Sequence, residues 1–90
     1  MQNKIININT IPIRTAFKEN HEILLYQPIS EIAIVLDQKS YDIFKIIKQT
    51  KDITFNELKK YQNDDELLSE FILFLEENNF IRMYNNNEKN

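Results

Sequence analysis

His21 is the only histidine in the chain, and there is no cysteine. An imidazole acts as a general base when a nucleophile lies within hydrogen-bond reach, and as a metal ligand when further soft or nitrogen donors converge on it. His21 lies next to a predicted turn with neither partner available, so it reads as an exposed turn residue. The other candidate groups are the carboxylate pairs Asp64-Asp65 and Glu76-Glu77. Acid–base work needs at least one carboxyl group taken out of water so that it holds its proton near neutral pH. Both pairs fall at predicted helix ends, where a solvated face or a contact with the helix dipole is the simpler role. Glycine is absent as well. Neither a phosphate-cradling loop nor a dinucleotide fingerprint can be written without it. The chain is therefore read as a non-enzyme that carries no cofactor and no metal.

The elements must then be read for binding. Ninety residues of which 42% are hydrophobic support one core. No run approaches the roughly 20 apolar residues needed to cross a bilayer, and Met1 to Asn7 lacks the basic start and apolar centre of a signal peptide, so a cytosolic protein without a membrane partner is expected. The domain is expected over residues 11–84. Residues 1–10, with the weak alternation Ile5-Ile6-Asn7-Ile8-Asn9, would be a mobile arm or an extra edge strand, and the polar tail 85–90 would be disordered.

From Ile13 the pattern predicts three short strands, Ile13 to Lys18, His21 to Gln27 and Glu31 to Leu36, in an antiparallel meander. Asn20 is the expected left-handed residue of the first turn, and Pro28 fits the second. After Asp37 the apolar period becomes helical. Asp37 caps a first helix with Tyr41, Phe44 and Ile47 on one face and Ile43 beside them. Thr54-Phe55-Asn56-Glu57 fits a capping box, with Ile53 and Leu58 at hydrophobic-staple positions, and opens a short helix to about Tyr61. Asn63 is expected to cap a third helix ending near Asn78, with Leu68, Phe71, Ile72 and Leu75 as its buried stripe and Asn78 or Asn79 as its left-handed C-cap. Phe80 to Tyr84 is a closing strand. The fold class is α+β, a winged helix-turn-helix in which a three-stranded antiparallel sheet is followed by three helices.

That shape raises DNA binding, as a winged-helix transcription regulator, and charge opposes it. Between Thr54 and Asn79 seven acidic residues stand against Lys59 and Lys60 alone. A helix presenting Asp64, Asp65, Glu66 and Glu70 repels phosphates, so no nucleic-acid partner is expected. The lysines Lys45, Lys48 and Lys51 read as solvent-facing charges. Another surface is left. Glu31-Ile32-Ala33-Ile34-Val35-Leu36 is apolar and carries no lysine or proline to guard it as an edge. It is either buried on both faces, paired with the N-terminal arm, or open to a strand from another chain. Leu67 and Phe74 lie off the main stripe of the third helix and broaden its apolar face.

From Arg14 to Met83 the chain resembles the PqqD-like recognition elements of pathways that modify ribosomally made peptides. The resemblance rests on Ile34-Val35-Leu36-Asp37 ending a strand, Ser40-Tyr41-Asp42-Ile43-Phe44 in the first helix, the Thr-led helix Ile53 to Leu58, and the last helix running through Phe71-Ile72-Leu73-Phe74 to Ile81. Leu25-Tyr26-Gln27-Pro28-Ile29-Ser30 is similar to the N-terminal region of radical S-adenosylmethionine peptide maturases. Thr50-Lys51 and Asn78-Asn79 stand where the family commonly has glycine, and asparagine is the usual substitute in a left-handed position. The resemblance implies an adaptor that makes no bonds itself. The leader region of a precursor peptide would pair with Glu31, Ile32, Ala33, Ile34, Val35 and Leu36, and seat its apolar side chains against Leu67, Phe71 and Phe74 with Glu70 at the rim. The adaptor would deliver the peptide to a separate modifying enzyme, a radical S-adenosylmethionine maturase being the implied partner.

Overall fold

The computed structural model describes residues 3–85. In chain order its elements are β1 (Lys4–Ile8), β2 (Arg14–Phe17), β3 (Ile23–Gln27), β4 (Ile32–Leu36), α1 (Gln38–Gln49), β5 (Ile53–Thr54), α2 (Phe55–Leu58), α3 (Asp65–Glu77) and β6 (Ile81–Asn85). The strands form two antiparallel three-stranded sheets, one ordered β2-β3-β4 and the other β5-β1-β6. The meander is the predicted one, with Leu25 opposite both Thr15 and Ile34.

The second sheet differs from expectation. The N-terminal segment is neither an arm nor an edge: β1 is the middle strand, pairing with β6 from Lys4↔Asn85 to Ile8↔Ile81 and with β5 at Ile5↔Thr54 and Ile6↔Ile53. Ile6 is fully buried within the same apolar cluster as β3, β4 and the helices, so the core begins well before residue 11. Asn85, assigned to the tail from sequence, ends β6, and the rest of the predicted tail lies outside the described residues. Side chains fasten β1 to distant chain. Asn7 donates from Nδ2 to Asp52 Oδ1 (2.8 Å) and to the Tyr84 hydroxyl (2.7 Å), while its Oδ1 accepts from the Asp52 backbone N–H (2.7 Å).

The helix starts follow local chemistry. Asp37 accepts from the Ser40 N–H at 2.8 Å and opens α1, whose buried residues are Ile43, Phe44 and Ile47, with Tyr41 only half-buried. Thr54 forms the full capping box with Glu57. The helix it opens stops at Leu58, and a turn carries the chain on past Tyr61. α3 is capped by Asp64, one residue later than expected, because the Asp64 carboxylate accepts from both Glu66 N–H and Leu67 N–H. A carboxylate at this place also complements the positive end of the helix, which an asparagine does not. Thr54→Ala removes one partner of an exposed cap and is expected to destabilise the domain by about 1 kcal/mol, read as a lower urea midpoint with unchanged slope, while Thr54→Ser retains most of it.

Without glycine, four of the described residues take positive φ: His21 (61°), Glu31 (60°), Asp52 (59°) and Asn79 (64°). The first turn thus places His21, and not Asn20, in the left-handed region. After α1 it is Asp52 that does so, one residue past Thr50-Lys51. Asn79 completes a Schellman motif: its N–H donates to Glu76 O (3.0 Å), and the Phe80 N–H donates to Leu75 O (2.9 Å).

Candidate functional site

β3 is flanked on both sides, leaving β2 and β4 as the edges of their sheet. The two edges are built differently. β2 is exposed along its whole length, carries Arg14, and is bounded by Pro12 and Lys18. Charge and proline at an edge discourage pairing with other chains. β4 reads Ile-Ala-Ile-Val-Leu, with Ile34 and Leu36 buried and Ala33 and Val35 exposed. Its polar backbone groups that point away from β3 meet no other strand among the described residues. Of the arrangements left open by the sequence, pairing with the N-terminal segment does not occur, since β1 belongs to the other sheet, and β4 is covered on one face only.

α3 runs in the opposite direction to β4, as contacts near both ends of that strand indicate. At the end of β3, opposite Ile32, the buried Gln27 donates from Nε2 to the carbonyl of Asn78 at the end of α3 (2.6 Å), and its Oε1 accepts from Ser30. Beyond the end of β4, an open cleft of about 360 Å³ is lined by Asp37, Ser40 and Ile43 on one side and by Leu67, Leu68 and Phe71 on the other.

The side chains of α3 sort by angle around its axis. Leu68, Ile72 and Leu75 are fully buried. Leu67, Phe71 and Phe74, spaced by four and then three residues, share one flank of α3, and the first two of them line the cleft. Leu67 is 52% exposed and Phe74 40%, whereas Phe71 is half-buried and packs on the core, so it is part of the groove wall and part of the core stripe. Glu70 lies exposed on the outer side of this flank. Of the predicted wall, Leu67 and Phe71 line the cleft beyond the end of β4, while Phe74 continues their flank outside it with Glu70 on its outer side. Ile32, Ala33, Ile34, Val35 and Leu36 form the open edge of the sheet and line no part of that cleft, although Ile34 and Leu36 share one core with Leu68, Ile72 and Leu75. Glu31 sits in the turn ahead of the strand, in the left-handed region.

Asp37, Ser40 and Ile43 were read from sequence only as a cap and a helix face, and they also line the cleft. Their position follows from α1 starting directly after β4, a signal present in the Leu36-Asp37 junction. His21 is exposed in the β2–β3 turn. Among the described residues no three histidine, aspartate or glutamate side chains come together as a metal site, and no helix is long and apolar enough to cross a membrane. A second cleft, of about 460 Å³, lies at the end of α1 and holds Lys48, Lys51 and Arg82 around Asp52 and Tyr84. The first of these lysines complements the negative end of that helix.

Comparison of the chain with protein-family models, curated proteins and solved structures found no match.

Proposed function

We propose that this protein is a peptide-binding adaptor that accepts an extended segment as a fourth strand on β4. The observation that supports this reading most directly is an unguarded apolar strand edge whose buried residues share a core with α3, a helix on which Leu67 and Phe74 remain exposed. Backbone hydrogen bonds along such an edge give affinity for any extended chain, and the adjoining wall selects side chains. In the reading that the resemblance suggests, the visitor is the leader region of a ribosomal precursor peptide. The adaptor holds it and raises the effective concentration of the remaining peptide at a separate modifying enzyme, a radical S-adenosylmethionine maturase. No chemistry is assigned to the domain itself.

The alternative of a winged-helix DNA-binding regulator has the charge of α3 against it. The exposed charged side chains from Asp65 to Glu77 are all acidic, and three of the chain's basic residues gather instead at the far end of α1. The two readings separate in one pair of measurements. Titration with labelled leader peptide from a neighbouring short reading frame is expected to saturate, with amide shifts concentrated at residues 32–36 and along α3. Absence of saturation up to about millimolar, the weak end of useful affinity, defeats the adaptor. A mobility shift on duplex DNA that fades steeply with salt favours the regulator.

A further inference from the structure

The charges around the groove narrow the class of segment it takes. β4 contains no charged residue, yet its ends are closed by Glu31 on one side and Asp37 on the other. On α3, Glu66, Glu70 and Glu77 fall four and then seven residues apart, on one stripe immediately outside the flank of Leu67 and Phe74. All three are exposed, and none forms an ion pair with another described residue. The one cation lining the cleft is Lys39, at the start of α1. The apolar groove therefore has an acidic border along its outer wall and at both ends of its strand.

Resting on the adaptor reading, we infer that the occupant is a cationic amphipathic strand: a five-residue run of alternating apolar character, matching the length of β4, with lysine or arginine at each end. Paired antiparallel, its terminal cations lie across from Glu31 and Asp37. Side chains opposite Ile32, Ile34 and Leu36 point to the same side of the sheet as those residues, toward the wall of α3. Apolar side chains there face that wall, and a second basic residue beyond either terminal cation, which falls on the same side, rests its methylenes on Leu67 or Phe74 and reaches Glu66, Glu70 or Glu77 with its head. The same geometry disfavours a second copy of this chain. Antiparallel self-pairing centred on Ile34 sets Glu31 of one copy across from Asp37 of the other, and like charges directly opposite in a sheet are destabilising.

The test uses three fluorescein-labelled peptides with one central strand, Val-Thr-Val-Thr-Val, flanked at both ends by two lysines, two glutamines or two glutamates. Their anisotropy is followed on the intact protein at low and high salt. Each exposed charge pair changes affinity by about two- to fivefold, so the lysine peptide is expected to bind roughly tenfold or more tightly than the glutamate peptide. The gap should shrink as salt shortens the screening length. Glu70→Lys with Glu77→Lys should narrow or invert it, and the second change also complements the negative end of α3, so the helix is not weakened. Equal binding of the three peptides, or preference for glutamate, overturns the cationic assignment while leaving the adaptor reading intact. Failure of all three to bind at millimolar concentration removes the groove as a peptide site and both readings with it. A dimer in sedimentation velocity at micromolar protein, abolished by proline at Ala33 or Ile34, assigns the edge to a second copy and likewise overturns the inference.

Discussion

Phe80→Ala is expected to destabilise the domain by about 3–5 kcal/mol, the range for removing a fully buried aromatic ring from a core. Phe80 has no exposed surface, and its ring meets that of Phe44 edge-on at 6.4 Å between centroids. It is also the residue through which three elements meet. Its N–H closes the Schellman motif at the end of α3, its carbonyl accepts from Asn9 N–H just after β1 (2.9 Å), and β6 begins at the next residue. Those backbone bonds survive the substitution, but the cavity opens where the two sheets and α3 share one core. Domains of this size have total stabilities near the lower part of the range of about 5–15 kcal/mol. The variant should therefore be marginally folded at room temperature, and Phe80→Leu should recover a large part of the loss. Urea denaturation followed by far-UV circular dichroism decides this; a loss below about 1 kcal/mol, the size of an ordinary surface effect, would mean that the ring does not seal the core.

The parts of the fold that could be read from sequence are those whose causes are local. Asp37 and Thr54 satisfy N–H groups two or three residues away, so their helices are visible as short motifs. The meander is visible because its strands are short runs rich in Ile, Leu or Val, separated by turns at Asn20 and Pro28, so that each follows its neighbour within a few residues. β1 is different. Its partners lie at the other end of the chain, as in the bond from Asn7 to Tyr84 across 77 positions, and β5 is two residues long, too short to leave a period. A strand whose two neighbours are both remote looks locally like an arm.

The left-handed positions were displaced by the same limit. Asparagine tolerates positive φ, which correctly marks Asn79, but the turn after β2 and the turn after α1 place His21 and Asp52 there instead. At Asp52 the backbone N–H and the carboxylate both bond to Asn7, so the long-range network with β1 selects this position among residues, such as aspartate, that tolerate positive φ. The candidate site divides in the same way. The unguarded character of β4 and the breadth of the apolar face of α3 are sequence properties; that the two ends of the helix come near the two ends of the strand depends on the Gln27–Asn78 bond and on the cleft between Asp37 and Leu67. Neither has a local signature.

The decisive probe of the groove is Phe74→Ala, with Leu73→Ala beside it as control. The two side chains are equally exposed, at 40%, and adjacent in sequence, but they point about 100° apart around the helix axis. Phe74 belongs to the flank with Leu67 and Phe71; Leu73 faces away from both the core stripe and that flank. Neither truncation empties a sealed pocket, and alanine has the higher helix propensity, so each is expected to move stability by no more than about 1 kcal/mol. Binding should separate them. An exposed aromatic that becomes buried against a partner is the usual kind of residue to carry interface energy, and its removal costs about 2 kcal/mol, close to a thirtyfold rise in Kd. The expected result is that rise for Phe74→Ala, no change for Leu73→Ala, and urea midpoints near that of the parent for both. Parental affinity in both variants would place the visiting strand away from α3. A matching loss in both would indicate that the helix as a whole had loosened, which the urea midpoints would register independently.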